Sequence, residues 1–239
     1  MWATGEKNVA VEHLKKAVNL QPSNGIIVAQ LIEYFFESGH VREAEVVMEQ
    51  FHTQSNKTNP ALPYIKSAQL LLNDNKPDLA KKILEKMPFP LNINEKREQA
   101  IIYKKSKEYE KAHVLFKEIY PQFMEDPYII YDFASTKLSL AREKNKQNRY
   151  KLQKDVSQRL AKEAVELLQR GLQLFEECNQ KGWCWFELAR ALAFLKEPKS
   201  EIERAYLQAL SICPNEKVFQ YSYDNWKNQQ EIKYKNKKR

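Results

Sequence analysis

The stretch that decides the fold is AVEHLKKAVNLQP, residues 10–22. Its residues Ala10, Leu14 and Ala17 are four and three positions apart, the spacing that places side chains on one face of an α-helix. Pro22 ends the pattern, because proline cannot donate the backbone hydrogen bond that would continue a helix. The stretch therefore predicts an amphipathic helix with small side chains where a neighbouring helix crosses closely.

The same pattern returns five more times along the chain with variations, because a large apolar residue often stands at one of the small positions. Its first members are separated by 34, 36, 32, 52 and 38 residues, and they are Ala10, Ala44, Ala80, Ala112, Ala164 and Ile202. A second set of helical patterns lies between them, and the clearest consists of Trp185, Leu188, Ala189 and Leu192. Two helices per repeat at a nearly constant spacing predict a stack of helical hairpins.

These motifs resemble the tetratricopeptide repeat family, which has a period of ~34 residues. Each repeat matches only loosely, but an ordinary helical bundle, the alternative, has no reason to repeat near this period six times in succession. The resemblance implies an all-α fold, a right-handed superhelical solenoid of antiparallel helix hairpins over residues 1–232. We expect a capping helix at 216–232 and a frayed basic tail at 233–239.

Two departures from the repeat pattern are informative. The 52-residue step leaves an insertion at residues 142–159, which is either an extension of both flanking helices or a solvated loop, and which we expect to project from the stack. The first repeat, residues 1–24, is incomplete, because its turn glycine, Gly5, has only four residues before it. We expect either further repeats upstream in a longer protein or a partner over this helix, and self-association through its exposed apolar face.

The composition argues against several classes of protein. The chain has only 5 glycines, whereas the tight turns of β-rich folds and the phosphate loops of nucleotide-binding folds need glycine. Three cysteines without CxxC spacing, Cys178, Cys184 and Cys213, are interpreted as reduced core thiols, which favours the cytoplasm. The sequence predicts neither a membrane span nor a secretion signal.

The sequence contains no recognised catalytic or metal-binding motif. Its histidines lack the spacing of metal ligands, and no glycine-rich phosphate loop or nucleophile motif occurs. We therefore expect no enzyme activity, no catalytic residue, no cofactor and no metal. An active site assembled from distant positions would leave no such signature.

The resemblance implies that the chain binds a protein, because the first helices of tetratricopeptide repeats line a concave groove for an extended peptide or a partner helix. Chaperone-binding members hold a terminal carboxylate with Lys and Asn, but Ala29 and Glu33 occupy the first pair of those positions here, which argues against that ligand. Basic residues beside apolar ones favour an acidic peptide with a few apolar anchors. The candidate contacts are Glu33, Phe36, Gln69, Arg97, Ile101, Lys104, Lys105, Ser135, Phe186 and Arg190.

The distribution of charge leaves two further functions open. The net charge is +8, and residues 142–159 and 227–239 each hold five more basic than acidic residues, so the rest of the chain is close to neutral. These basic segments could contact nucleic acid, although lysine-rich segments are more often solvated surface. The chain could also be the regulatory, non-catalytic arm of a larger enzyme or assembly. A protein-interaction scaffold is the leading hypothesis.

Overall fold

The computed structural model describes residues 7–54, 61–87, 91–146, 151–176 and 178–237. Within these ranges the chain forms twelve α-helices and one 3-10 helix, and no strand. None of these helices has both the length and the apolar composition needed to cross a membrane. The α-helices are α1 (Lys7–Leu20), α2 (Gly25–Glu37), α3 (Val41–Gln54), α4 (Leu62–Asn73), α5 (Pro77–Glu85), α6 (Ile93–Lys105), α7 (Tyr109–Ile119), α8 (Pro127–Lys146), α9 (Lys151–Leu174), α10 (Asn179–Leu195), α11 (Lys199–Ile212) and α12 (Lys217–Lys237).

The helices group into two compact units, Met1–Leu115 and Phe116–Arg239, with the boundary inside α7. In the first unit α1 packs on α2, α2 packs on α3 and α4, and α4 packs on α5 and α6. In the second unit α8 packs on α9, α10 packs on α9 and α11, and α12 packs on α11. Each unit is a stack of helical hairpins, which confirms the predicted all-α repeat fold.

Small residues lie where the helices of a unit cross. Ala44, Ala80, Ala112 and Ala164, the first members of the repeated pattern, have no exposed surface. Gly171 in α9 shows how close the approach is, because a Cβ atom there would lie 3.3 Å from Ile130 Cγ2 of α8 and 3.7 Å from Cys184 Sγ of α10. Larger side chains at such positions would separate the helices and expose the apolar surface between them.

The turn inside a hairpin has the same left-handed conformation in four repeats. Positive φ angles occur at Gly39 (79°), Asn75 (58°), Lys107 (62°) and Lys196 (63°), each one or two residues after the first helix of its hairpin. In every case the next amide donates to a carbonyl five residues earlier, as from His40 N to Phe35 O at 2.8 Å. This bond pairs a carbonyl that the helix end would otherwise leave unsatisfied.

Polar side chains cap the N-termini of three of the first helices. Asn24 Oδ1 accepts from the amides of Ile26 and Ile27 at the start of α2. Asn92 begins α6 with a reciprocal capping box, in which its own amide donates to Glu95 Oε2 at 2.8 Å. Asp126 Oδ1 accepts in the same way at the start of α8. These caps set where each first helix begins and hence which residues lie on its face.

The last helix closes the second unit through aromatic side chains. Phe219 of α12 is fully buried, and its ring stacks on Phe186 of α10 with a centroid distance of 4.4 Å. Trp183 meets the same ring edge-on at 4.7 Å. Farther along α12, the Tyr223 hydroxyl donates to Glu203 of α11 at 2.7 Å. The predicted capping helix therefore packs on both helices of the preceding hairpin.

The structure bears differently on the expectations for the insertion, the C-terminal tail and the first repeat. The helix α8 continues to Lys146 and α9 begins at Lys151, so the described part of the insertion extends both flanking helices. Ser157 within it is fully buried, which corrects the expectation that the whole segment projects. The helix α12 runs to Lys237, so residues 233–237 are helical and not frayed. Residues 1–6, the predicted start of the incomplete first repeat, lie outside the described residues. On the apolar face of α1 that was expected to be exposed, Leu14 is half-buried and Leu20 is 83% exposed.

Glycine at the Lys107 turn should stabilise the protein. A left-handed conformation costs a lysine about 1 kcal/mol, and glycine adopts it without that cost. We expect Lys107→Gly to raise the free energy of unfolding by about 0.5–1 kcal/mol in urea titrations. Lys82→Gly, inside α5, is the control and should lower it by about 1 kcal/mol. A destabilised Lys107→Gly variant would show that the turn is not left-handed.

Removing the aromatic ring that anchors α12 should detach this helix. Phe219→Ala deletes a fully buried ring, which costs about 3–5 kcal/mol in a packed core. We expect faster amide hydrogen exchange throughout α12 and a lower melting temperature. Tyr221→Ala is the matched control on the same helix, because Tyr221 is 74% exposed and should change neither measurement. Equal effects of the two substitutions would contradict this account of the cap.

Candidate partner-binding faces

The first helices of the first unit form a face that carries hydrogen-bonding groups. Ser67 of α4 is buried and its hydroxyl donates to Ala29 O of α2 at 2.9 Å, which holds these two helices together. On the neighbouring pair, Gln69 Nε2 of α4 donates to Glu98 Oε2 of α6 at 2.7 Å. Lys66 in turn donates to Gln69 Oε1 at 3.3 Å. A row of polar side chains therefore crosses from α4 to α6.

An acidic cluster lies at one end of this face. Carboxylate oxygens of Glu33, Glu37 and Asp74 lie within 4.8 Å of one another, and Lys76 Nζ lies 2.6 Å from Glu37 and 3.6 Å from Asp74. Partial burial, and then the neighbouring Glu37 and Asp74, raise the pKa of Glu33 to about 7. These donors could hold a cation, but the ammonium group of Lys76 already compensates part of their charge inside the chain.

Most of the predicted contacts in the first unit remain accessible. Glu33, Gln69, Arg97, Ile101 and Lys104 are half-buried, and Lys105 is exposed. The structure brings Gln69 of α4 next to Glu98 of α6, one helical turn from Ile101.

Phe36 is the exception in the first unit. Its side chain is only 3% exposed because it belongs to the buried side of α2. Phe36 is therefore a core residue in this structure and offers no contact to a partner.

The second unit presents a smaller face on α8 and α10. Arg190 Nη1 lies 2.6 Å from Glu187 Oε1, and its guanidinium carbon lies 5.4 Å from the centroid of the Phe186 ring. This side chain is half-exposed and is held in one orientation by both neighbours. Burial, and then the nearby Glu187, raise the pKa of Tyr131 on α8, so that hydroxyl stays protonated. The face is thus a positioned guanidinium beside a neutral phenol.

Two predicted contacts in the second unit are buried. Phe186 is 2% exposed because it lies between Phe219 and Tyr206 in the aromatic cluster under α12. Ser135 is also buried, and its hydroxyl donates to Asp132 O at 3.2 Å within its own helix. Neither side chain offers a surface to a partner, whereas Arg190 does.

Each unit also has an apolar pocket that the repeat pattern did not reveal. One, of about 490 Å³, lies between α1 and α3 over Leu31 and Phe35 of α2. The other, of about 530 Å³, lies between α9 and α11 over Leu188 and Leu192 of α10. These residues hold the same positions in their repeats, so the two pockets are equivalent. In the sequence, these pockets were signalled only by two apolar residues four positions apart on a first helix, Leu31 with Phe35 and Leu188 with Leu192.

Comparison with known proteins identifies the fold. The structure superposes on the crystal structure of YrrB, a TPR protein with an unusual peptide-binding site, with a TM-score of 0.54 over 90% of this chain and 99% of that one. The chain has the tetratricopeptide fold. Only 11% of the aligned residues are identical, so the similarity establishes the architecture alone.

Other comparisons add little to this result. The C-terminal part of a TPR repeat-containing protein from Cytophaga hutchinsonii aligns over 90% of this chain and 93% of that one, with 14% identity and a TM-score of 0.43. No protein-family model matches the sequence. A search of curated proteins likewise finds no match.

The acidic cluster should make stability depend on pH. Because the folded protein raises the pKa of Glu33 to about 7, the folded state binds this proton more tightly than the unfolded state. The stabilisation is complete below the pKa of the unfolded chain and is lost as the pH rises through about 7. After allowance for solvent screening, we expect a loss of roughly 1–2 kcal/mol between about pH 5 and pH 8 in urea titrations.

The variant Glu33→Gln should lack most of this loss, since its amide does not titrate. Glu43→Gln, which removes one exposed carboxylate from α3, controls for the change in net charge and should behave as the unmodified protein does. An unchanged pH dependence in Glu33→Gln would show that Glu33 ionises normally in the folded state.

Proposed function

We propose that the chain is a non-catalytic protein-interaction module that binds a peptide or partner helix along the face of α2, α4 and α6. The observation that carries this proposal is the hydrogen bond between Gln69 and Glu98. This bond sets α4 and α6 side by side, with the half-exposed Ile101 one turn farther along α6. Polar groups next to an accessible apolar side chain are the usual composition of a peptide-binding surface.

The chemistry of the face favours a particular kind of ligand. Arg97, Ile101 and Lys105 are spaced four residues apart on α6, so their side chains share one side of that helix. The carboxamide of Gln69 can both donate to and accept from a peptide backbone. We propose that acidic side chains of the ligand contact α6 while an apolar side chain covers Ile101. The acidic cluster at α2 and α4 would then orient the ligand, because the two ends of the face differ in charge.

The architecture supports this proposal. The solved structure of YrrB, which shares the fold, has a peptide-binding site. In the second unit, Arg190 offers a positioned cation that could make a separate contact. All three cysteines are thiols, which fits the cytoplasmic location that we propose. The binding module would serve as a repeat segment of a larger protein or assembly.

A peptide selection followed by substitution on the face tests the function. Peptides would be selected from a random displayed library against the full chain, and we expect acidic sequences with one or two apolar residues. Ile101→Ser combined with Lys105→Glu should weaken their binding by about 10-fold or more, since central apolar and charged contacts each contribute about 1 kcal/mol or more. Fluorescence anisotropy with labelled peptide measures the dissociation constant.

The matched control is Val114→Ser combined with Lys82→Glu. It makes the same chemical changes at exposed positions on second helices of the same unit, and it should bind as the unmodified chain does. If the control variant weakens peptide binding and the α6 variant does not, the binding site lies on the side of the unit formed by the second helices, such as α5 and α7. A selection that enriches no sequence would contradict a peptide-binding function.

A further inference from the structure

Two cysteines that are far apart in sequence meet at one end of the last hairpin. Cys213, directly after α11, has its Sγ atom 3.6 Å from Asn179 O and 3.9 Å from Asn179 Oδ1. Asn179 is the first residue of α10, and Cys178 precedes it as the N-cap. The sulfur of Cys213 therefore lies against the first turn of the helix that Cys178 begins.

The position of Gly182 shows how closely Cys213 lies against the first turns of α10. A Cβ atom at Gly182 would lie only 2.5 Å from Cys213 Sγ. Cys178 has the extended backbone of an N-cap and is bonded directly to Asn179, the residue that Cys213 Sγ contacts.

Electrostatics and accessibility agree with this placement. Burial, and then the charges of Glu216 and Cys178, raise the pKa of the Cys213 thiol. Both side chains are only half-buried, so small reagents reach them. Cys184 differs in both respects: it is fully buried, and burial raises its pKa to about 12.

We propose that Cys178 and Cys213 form a reversible disulfide under oxidation by a peroxide. One thiolate attacks hydrogen peroxide, breaks its O–O bond and becomes a sulfenic acid, with release of one water. The second thiol attacks that sulfur, forms the S–S bond and releases another water. The two sulfurs lose two electrons in total, and the peroxide accepts them together with the two thiol protons.

The bond would connect the two open ends of a helical hairpin. In the α10–α11 hairpin, the start of α10 and the end of α11 lie together, while the left-handed turn at Lys196 joins the other two ends. A link between Cys178 and Cys213 would close this hairpin into a covalent loop and restrict its unfolded state. Since α10 also carries Arg190, oxidation would fix the helix that presents this residue.

Oxidation of the full chain by hydrogen peroxide tests the proposal. Intact mass spectrometry should show a loss of about 2 Da, the mass of two hydrogens, reversed by dithiothreitol. A non-reducing digest should contain one cross-linked species that joins the Cys178 and Cys213 peptides. The melting temperature of the oxidised chain should rise by about 5 °C, because the loop constrains the unfolded state.

Single substitutions assign the linkage. Cys184→Ser should still lose about 2 Da, whereas Cys178→Ser and Cys213→Ser should each fail to form the intramolecular bond. Circular dichroism of Cys178→Ser, which changes a half-buried residue before a helix, verifies that failure to cross-link does not reflect failure to fold. Oxidation that stops at added oxygen, joins two chains, or links Cys184 would overturn the proposal.

Discussion

Close crossing of helices through small side chains is the constraint on which the rest of this structure depends. Where Ala44, Ala80 and Ala164 contact their neighbours, no exposed surface remains, and at Gly171 even a methyl group would meet Ile130. Dispersion attraction falls steeply with separation, so helices held apart by larger side chains would lose much of their packing energy. The small residues thereby allow each unit to bury the large apolar residues on both sides of every crossing.

This close packing also decides which side chains are left for a partner. The first helices lie near enough for Gln69 to bond Glu98 and for Ser67 to bond a backbone carbonyl of α2. The same close packing buries the side chains of Phe36 and Phe186 in the interior. A face built in this way has polar groups in fixed positions and few large aromatic anchors. We propose that it recognises a ligand by charge and backbone hydrogen bonds more than by deep apolar pockets.

The second unit packs its last helix through aromatic residues. The rings of Trp183, Phe186 and Phe219 fill the space between α10 and α12. Polar contacts such as Tyr223 to Glu203 complete the edge of the cap. The arrangement leaves Tyr221 and Ile232 exposed on α12 and keeps the aromatic core closed.

The sequence by itself determined the all-α class, the pairing of helices and the small crossing residues, because helical periodicity and a repeat near 34 residues are local and regular signals. Tertiary structure decided which face residues are accessible: Gln69 and Ile101 are, whereas Ser135 and Phe186 are buried by neighbours that no local pattern identifies. It also decided the left-handed turns at Asn75, Lys107 and Lys196, where no glycine marks the turn, because the packed hairpin imposes a conformation that residues other than glycine adopt less readily. Finally, it brought Cys178 to Cys213, since two residues separated by a whole hairpin meet only after both helices have folded back on each other.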